Sequence, residues 1–444
     1  MSIEEKALKL LREHALCDHC LGRMFARYGR GLKNEERGRA LKTVLTLEAH
    51  SKINEGGEAD LRAIWVNGAF KPAANALVFE GKEVTEEPKR CEICEGVLDK
   101  LGEAVSAALS ALSDVEWKNF LVATVGADEL MRKEEELAVE NGLGGYESVK
   151  WEINREVGKA ISSATGKEVE LKSPDVIVEV HPLSMTVTLN ISPIYVYGRY
   201  LKLERGIPQS KWLCSYCHGK GCPHCNYTGK KYPTSVEEEI ASVLVPLARA
   251  EGDKFHAAGR EDVDARMLGT GRPFVMELLS PKIRTPDLNG VEEKIKQHSD
   301  GKVEVRGLTL VGKEYVDMVK SEEKSRKTYE GEIESAQDLT DEDIVVLNSS
   351  FNGVDITQRT PKRVSRRRAD LVRKKRVYEL RVERIGPREL KFRVTAEGGT
   401  YIKELISGDD GRTVPSLSSK IGKSLKCKFL DVMEVEVPFE SQGI

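Results

Sequence analysis

Eight of the nine cysteines fall into CxxC pairs, Cys17/Cys20, Cys91/Cys94, Cys214/Cys217 and Cys222/Cys225, leaving Cys427 alone. Paired thiolates two residues apart suit a soft divalent metal, and in a chain of 444 residues they favour metal over disulfides. CSYCHGKG is followed directly by CPHCNYTG, so Cys214 to Gly229 holds two tandem CxxCxGxG-like turns. Such turns bring four sulfurs around one tetrahedral Zn²⁺, with glycines letting backbone amides approach sulfur. His218 and His224 read as exposed turn residues, because the four sulfurs already fill the shell. Cys17/Cys20 and Cys91/Cys94 read as one composite site that clips an N-terminal helix to the segment behind it. Neither set leaves an open catalytic position, so two structural Zn²⁺ sites are expected and no cofactor for chemistry.

The second candidate is AAGREDVDARMLGTGRPFVMEL, Ala257 to Leu278, which sets Glu261, Asp262 and Asp264 among Arg260, Arg266, Arg272 and several glycines. Charges this dense are poor core material, which leaves a solvated turn or a carboxylate held for a purpose. LGTGRP does not qualify as a nucleotide loop. A dinucleotide fingerprint follows a strand and opens a helix, whereas Pro273 runs into the strand FVMELL.

The third is cationic. Net charge is only -3, yet Arg359 to Arg376 holds ten Lys or Arg against one acid, Asp370. A patch facing a polyanion is hidden in a nearly neutral sum. Its arginines, Arg363, Arg366, Arg367 and Arg368 among them, are expected to meet the phosphates of such a polyanion. CLGRMFARYGRG (Cys20 to Gly31) and YVYGRYLKLERG (Tyr195 to Gly206) interleave aromatic and basic residues in a way that suits RNA, though packing tyrosines with solvated arginines would read the same.

The elements that must position these residues form an α+β chain. With 40% apolar and 32% charged residues the composition is globular. The start, MSIEEKALKLLREHALCDHC, reads as a helix before a cysteine pair and lacks signal-peptide features, and no apolar stretch is long enough to span a bilayer. A cytoplasmic location is expected. ERGRALKTVLTLEAHSK has helical periodicity, and WEINREVGKAISSATG is a helix closed by Gly166. LVATVG and PDVIVEVHPLSMTVTLNISPIYVYGRYLKL read as strands, and Gly206 with Pro208 suggests a boundary. The second half opens with the helix PTSVEEEIASVLVPLARAE. It continues in strands, RPFVMELL, VEVRGLTLVG, YEGEIESAQ, RVYELRVERIG and LKFRVTAEG, as a mixed, largely antiparallel sheet.

Two further pieces, EEKSRKTYEGEI around Tyr329 and AEGGTYIKELISGDDGRT around Tyr401, complete a pattern. GRED at Gly259 to Asp262 resembles the aspartate motif of pseudouridine synthases, and GGTYIKEL resembles the GTYIR(S)L motif of their uridine-55 branch. With CDHCLGR, CEIC and RTPKRVSRRR, the chain is similar over essentially its whole length to the archaeal tRNA pseudouridine synthases that act on uridines 54 and 55. The resemblance implies an accessory RNA-binding domain at 1–210 with a THUMP-like part at about 60–205, a zinc insert at 211–232, and a catalytic domain at 233–444. It implies that the accessory domain holds the tRNA acceptor end.

By the same resemblance Asp262 is the nucleophile, with Asp264 its nearest rival. Tyr329 is similar to the tyrosine that stacks on the base and handles a proton, Tyr401 to a second substrate-contacting tyrosine, and Lys403 to the basic residue paired with the aspartate. Lys403 departs from the arginine of bacterial uridine-55 enzymes, which changes the geometry of the pair but not its charge. tRNA is the implied partner, with a monomeric chain and no membrane or obligate protein partner expected. The alternatives are a zinc-stabilised RNA-binding protein without catalysis, and a THUMP-bearing methyltransferase or sulfur-transfer enzyme. The first leaves GRED, Tyr329 and GGTYIKEL unexplained, and the second lacks its cofactor loop.

Overall fold

A computed structural model describes residues 1–321, 325–365 and 369–436. The chain divides into two compact units, Met1–Ser192 and Pro193–Ile444. Each has its own apolar core. Among the described residues no helix is long and apolar enough to cross a membrane.

The first unit begins with helix Ile3–Glu13, started by a reciprocal Ser2/Glu5 capping box. Helices Asp18–Met24 and Asn34–Ser51 cross so closely that a Cβ on Gly22 would lie 1.8 Å from the Asn34 carbonyl oxygen. Helix Val149–Thr165 does end at Gly166, whose φ of +69° few other residues adopt. It packs with helix Leu101–Leu112 beside a small sheet of β1 (Asn119–Thr124), β2 (Glu168–Val169), β3 (Val176–His181) and β4 (Thr186–Ile191), in the order β2-β1-β3-β4. Along β3 buried and half-buried residues alternate, as expected of a strand with one face on a core.

The basic–aromatic reading of Cys20–Gly31 is corrected at Arg23. Its guanidinium is fully buried between Glu134 and Glu152 and donates to the Cys20 sulfur at 3.2 Å. A desolvated cation held by two carboxylates has no charge to spare for a phosphate.

The second unit is built on a ten-stranded sheet. Its strands are β5 (Ile194–Lys202), β6 (Gly252–Ala257), β7 (Arg266–Leu279), β8 (Val303–Val311), β9 (Arg326–Ser335), β10 (Val354–Arg359), β11 (Val372–Gly386), β12 (Glu389–Glu397), β13 (Thr413–Val414) and β14 (Leu425–Val435). The order is β13-β10-β11-β12-β9-β14-β7-β5-β8, with β6 also on β7. All five strands expected in the second half are present.

The expected boundary near residue 210 falls too late, because β5 pairs with β7 and β8 and so belongs to the larger sheet. The RNA-facing reading of Tyr195–Gly206 fails with it. Tyr197, Tyr200 and Lys202 are buried, and Arg199 donates to the carbonyls of Thr270, Gly271 and Val435. The pairing is antiparallel except where β14 meets β7 through only two residue pairs, one of them Asp431 with Arg266. The buried Asp431 carboxylate takes Arg266 and Arg205, each at 2.7 Å. Burial alone would raise its pKa, but the two guanidiniums hold it below the usual carboxylate range. That seam sets the loop before β7 beside the strands that follow it in sequence.

Both cysteine quartets are assembled, each with its four sulfurs within 4.8 Å of one another and none in a disulfide. Cys17 and Cys94 sulfurs lie 3.6 Å apart, Cys214 and Cys222 3.8 Å, and Cys217 and Cys225 3.8 Å. A tetrahedral Zn²⁺ with bonds of about 2.3 Å needs sulfurs about 3.8 Å apart, so the donors fit. The amides of Gly221 and Gly229 point at the Cys217 and Cys225 sulfurs, both at 3.2 Å, as suits thiolates bound to metal. His224 stacks on Tyr216 at 4.1 Å and is not in the quartet. The two sites are structural zinc sites. Metal analysis should find two zinc equivalents per chain, and replacing Cys214, Cys217, Cys222 and Cys225 by serine should remove one; an unchanged count would reject that site.

Candidate active site

The loop 258–265 joins β6 to β7 and carries Glu261, Asp262 and Asp264. In this irregular loop the adjacent acids face opposite ways, Glu261 inward and Asp262 outward. The Glu261 side chain is 1% exposed and that of Asp262 is 40% exposed.

Glu261 meets the buried Arg272 at 2.9 Å and accepts the Tyr200 hydroxyl at 2.8 Å, with the Lys202 ammonium 3.7 Å away. Burial by itself would raise the Glu261 pKa, but Arg272 and Lys202 override it and keep the carboxyl below its usual range. The cations and their neighbours also grip the loop backbone. Arg272 donates to the Ala258 carbonyl at 2.7 Å, Gln209 to that of Gly259 at 2.9 Å, and Lys202 to that of Asp262 at 3.1 Å. Gly259, with φ of +76°, leaves room for the Lys327 ammonium, which a Cβ there would approach to 2.8 Å.

Outside this frame lies a cluster of opposite charges. Asp262 Oδ2 takes Arg363 Nη1 at 3.0 Å and Lys403 Nζ at 3.5 Å. Lys403 lies closer to Asp264, at 2.7 Å. Burial pushes the Asp264 pKa up, and the bond to Lys403 outweighs it, leaving the carboxyl below its usual value. Arg363 also donates from Nε to Glu404 Oε1 at 2.7 Å.

Lys403 and Glu404 sit on helix Ile402–Ser407, which Tyr401 caps. The buried Gln358 side chain fixes that cap, accepting the Tyr401 amide at 2.9 Å and donating to its carbonyl at 3.0 Å. The glycine pair before it serves the turn, for Gly399 has φ of +81°. Tyr329 stands inside β9, paired with Val394 of β12 and Val432 of β14, so it is not a sheet-edge residue. Burial raises its phenol to about 12, with Glu261 and Asp262 adding to the shift and Arg272 opposing it. It therefore keeps its proton at neutral pH and is a donor rather than a ready base.

The basic run is less open than its composition suggests. Arg359 pairs with Asp370, Lys362 with Asp410, Lys375 with Glu397 and Arg376 with Asp355. Arg363, expected to follow phosphates, points at Asp262 and Glu404 instead. Arg366, Arg367 and Arg368 lie outside the described residues. Sequence reasoning missed Glu261, Arg272, Lys202, Gln209, Gln358 and Glu404. The available signal was that Glu261, Glu404, Arg272 and Lys202 each stand inside a stretch already singled out.

The arrangement presents a half-exposed anion steadied by two cations on a loop locked from beneath, with a protonated phenol under its electrostatic influence. It suits a carboxylate that acts as a nucleophile or stabilises developing positive charge. Replacing Glu261 by Gln should destabilise the protein by roughly 3 kcal/mol at neutral pH, because two buried cations lose their counterion. The Glu261 contribution is present above the ordinary carboxyl value of 4.5 and is lost as pH falls through its lowered value. In denaturant titrations wild type and variant should therefore converge in acid. A gap that stays constant would show that the ion pair is not responsible.

Residues 195–436 match the family described as "Pus10, C-terminal", and residues 104–181 match "Pus10 THUMP domain, archaeal". The chain is 41% identical over 432 residues to the tRNA pseudouridine synthase Pus10 of Methanothrix thermoacetophila, covering 97% of this chain and 93% of the relative. It is 41% identical over 436 residues to that of Methanopyrus kandleri, covering 97% and 98%. The counterpart from Methanocaldococcus jannaschii is 40% identical over 431 residues, covering 96% and 93%. With both matched regions in chain order and full-length relatives, the chain belongs to the Pus10 family of archaeal type.

Proposed function

We propose that the chain is a tRNA pseudouridine synthase that isomerises uridines 54 and 55 of the T-loop. Full-length similarity to enzymes of that name supports the activity. The observation that carries the site assignment is Asp262 itself, an outward-turned carboxylate on a braced loop, within ion-pair distance of Arg363 and Lys403.

The target nucleotide leaves its stack, and its uracil lies against Tyr329 and Tyr401. Asp262 attacks the nucleoside and the electrons of the glycosidic bond pass to N1 of the base. The detached uracil turns, and C5 forms the new bond to the ribose as the carboxylate is released. N1 gains one proton and C5 loses one, so the product is an isomer and Asp262 is regenerated. Tyr329, protonated at neutral pH, provides the aromatic face and a proton partner. The first unit holds the acceptor end of the tRNA, a role supported by the THUMP match over 104–181.

Asp262→Asn removes the anion while keeping side-chain volume. Under single-turnover conditions with uridine-containing tRNA transcript, pseudouridine formation should fall by ~10³-fold or more while tRNA affinity stays near wild type. Asp264→Asn should retain measurable turnover, because its partner Lys403 still faces Asp262. Loss of activity only in the Asp264 variant would reassign the nucleophile, and full activity in both would remove the mechanism.

A further inference from the structure

Arg363 stands where composition alone would put a phosphate ligand, in the short turn Lys362–Val364 of the basic segment between β10 and β11. Its guanidinium does something else. Nε and Nη2 meet the two oxygens of Glu404 at 2.7 and 3.4 Å, and Nη1 meets Asp262 Oδ2 at 3.0 Å. The Glu404 side chain is 7% exposed and lies on the helix that follows the GGTY turn, so it is a fixed anchor rather than a surface acid. Burial alone would make the guanidinium easier to deprotonate, but Glu404 and Asp262 outweigh it, so the charge is permanent.

The turn that carries Arg363 is itself tied down. The Lys362 amide donates to Asp409 at 3.1 Å and its ammonium to Asp410 at 2.6 Å, while Arg412 donates to the Thr360 carbonyl at 2.8 Å. Lys403, the residue that resembles the usual partner of the nucleophile, makes its shorter contact with Asp264. A planar guanidinium can grip two carboxylates at fixed angles, which an ammonium on a flexible stem cannot. Both ion pairs to Asp262 end on the same oxygen, Oδ2.

We propose that Arg363, anchored by Glu404, is a positioning residue that aims Asp262 for attack, while Lys403 chiefly holds Asp264 and the loop. The proposal rests on the functional reading above. It makes the basic segment part of the catalytic frame at this one residue rather than purely an RNA-binding surface.

The test compares wild type, Arg363→Gln, Arg363→Lys, Glu404→Gln and the Arg363→Gln/Glu404→Gln double variant, with Asp262→Asn in parallel. Single-turnover pseudouridine formation is measured at saturating tRNA transcript, and tRNA binding is measured separately across a salt series. Arg363→Gln should lower the rate about 100-fold, the scale of a small misplacement of a reacting group. Affinity and salt slope should stay near wild type. Arg363→Lys should recover only part of the rate, and Glu404→Gln should lose rate although it touches no substrate. The double variant should be no slower than Arg363→Gln, because the two residues act as one brace.

Full rate at saturation with weaker binding and a salt slope reduced by about one would make Arg363 a phosphate contact and overturn the proposal. Additive losses in the double variant would also overturn it. If Arg363→Gln does not fold, Arg363→Lys and Glu404→Gln decide the question by the same readouts. Wild-type protein that forms no pseudouridine would reject the functional reading and this proposal with it. An active wild type beside an inactive Asp262→Asn keeps that reading, whatever the Arg363 variants do.

Discussion

The buried ion pair of Glu261 and Arg272 is the constraint around which the site is organised. A carboxylate and a guanidinium withdrawn from water are costly unless each is paired and further hydrogen-bonded. Here Glu261 has Arg272, Tyr200 and Lys202, and the cations also take loop carbonyls. Arg272 and Tyr200 both bond Oε2, while Oε1 has only the Lys202 ammonium at 3.7 Å, and the cluster fixes the backbone of the loop that bears Asp262. Such pairs add little net stability over an apolar core, but they define one arrangement of the chain.

The sheet serves the same end. Its short parallel seam, where β14 meets β7, is reinforced by Asp431 between Arg205 and Arg266. Arg205 also donates to the Asp264 carbonyl at 2.8 Å, linking the seam to the far end of the loop. The loop is thus held from within by Glu261 and its partners and at its exit by the seam. From the other side it meets Arg363 and Lys403, which arrive more than one hundred residues later in the chain. Charge is arranged in two layers, a dry one that holds shape and a wetter one that is partly open to solvent. The zinc sites belong to neither layer, and Cys20, Cys91 and Cys94 of the first quartet lie within the apolar core of their own unit.

Much was legible without coordinates because it depends on local spacing. CxxC turns bring two sulfurs together whatever surrounds them, and the tandem pairs from Cys214 to Cys225 and the composite Cys17/Cys20/Cys91/Cys94 site both assembled as expected. Helix Val149–Thr165 ends where Gly166 permits, and the alternating strands of the second half lie in one sheet. GRED and GGTYIKEL marked the two segments that meet at the site. Local pattern was misleading where composition was read as exposure. Tyr195–Gly206 and Cys20–Gly31 have the aromatic and basic residues of an RNA-binding surface, yet Tyr197, Tyr200, Lys202 and Arg23 are buried. Alternation says that two faces differ, but not which is covered when a strand has neighbours on both sides.

The amino-acid sequence by itself determined the four CxxC pairs, the whole quartet of Cys214 to Cys225 and the pair of motifs that carry Asp262 and Lys403, because each follows from residue type and short-range spacing, whereas the fold had to bring Cys17/Cys20 to Cys91/Cys94. Tertiary structure decided which acids are buried and which cation each acid meets. Glu261 and Asp262 are adjacent acids in the same motif, and only the packing of β5 and β7 makes one an internal anchor and leaves the other partly exposed. Arg363 looked like its neighbours in a basic run, and only the closure of helix Ile402–Ser407 against its turn gives it Glu404 and Asp262 as partners. Ion pairs form between groups that the fold brings within a few ångströms, so their partners are set by chain topology and not by spacing along it.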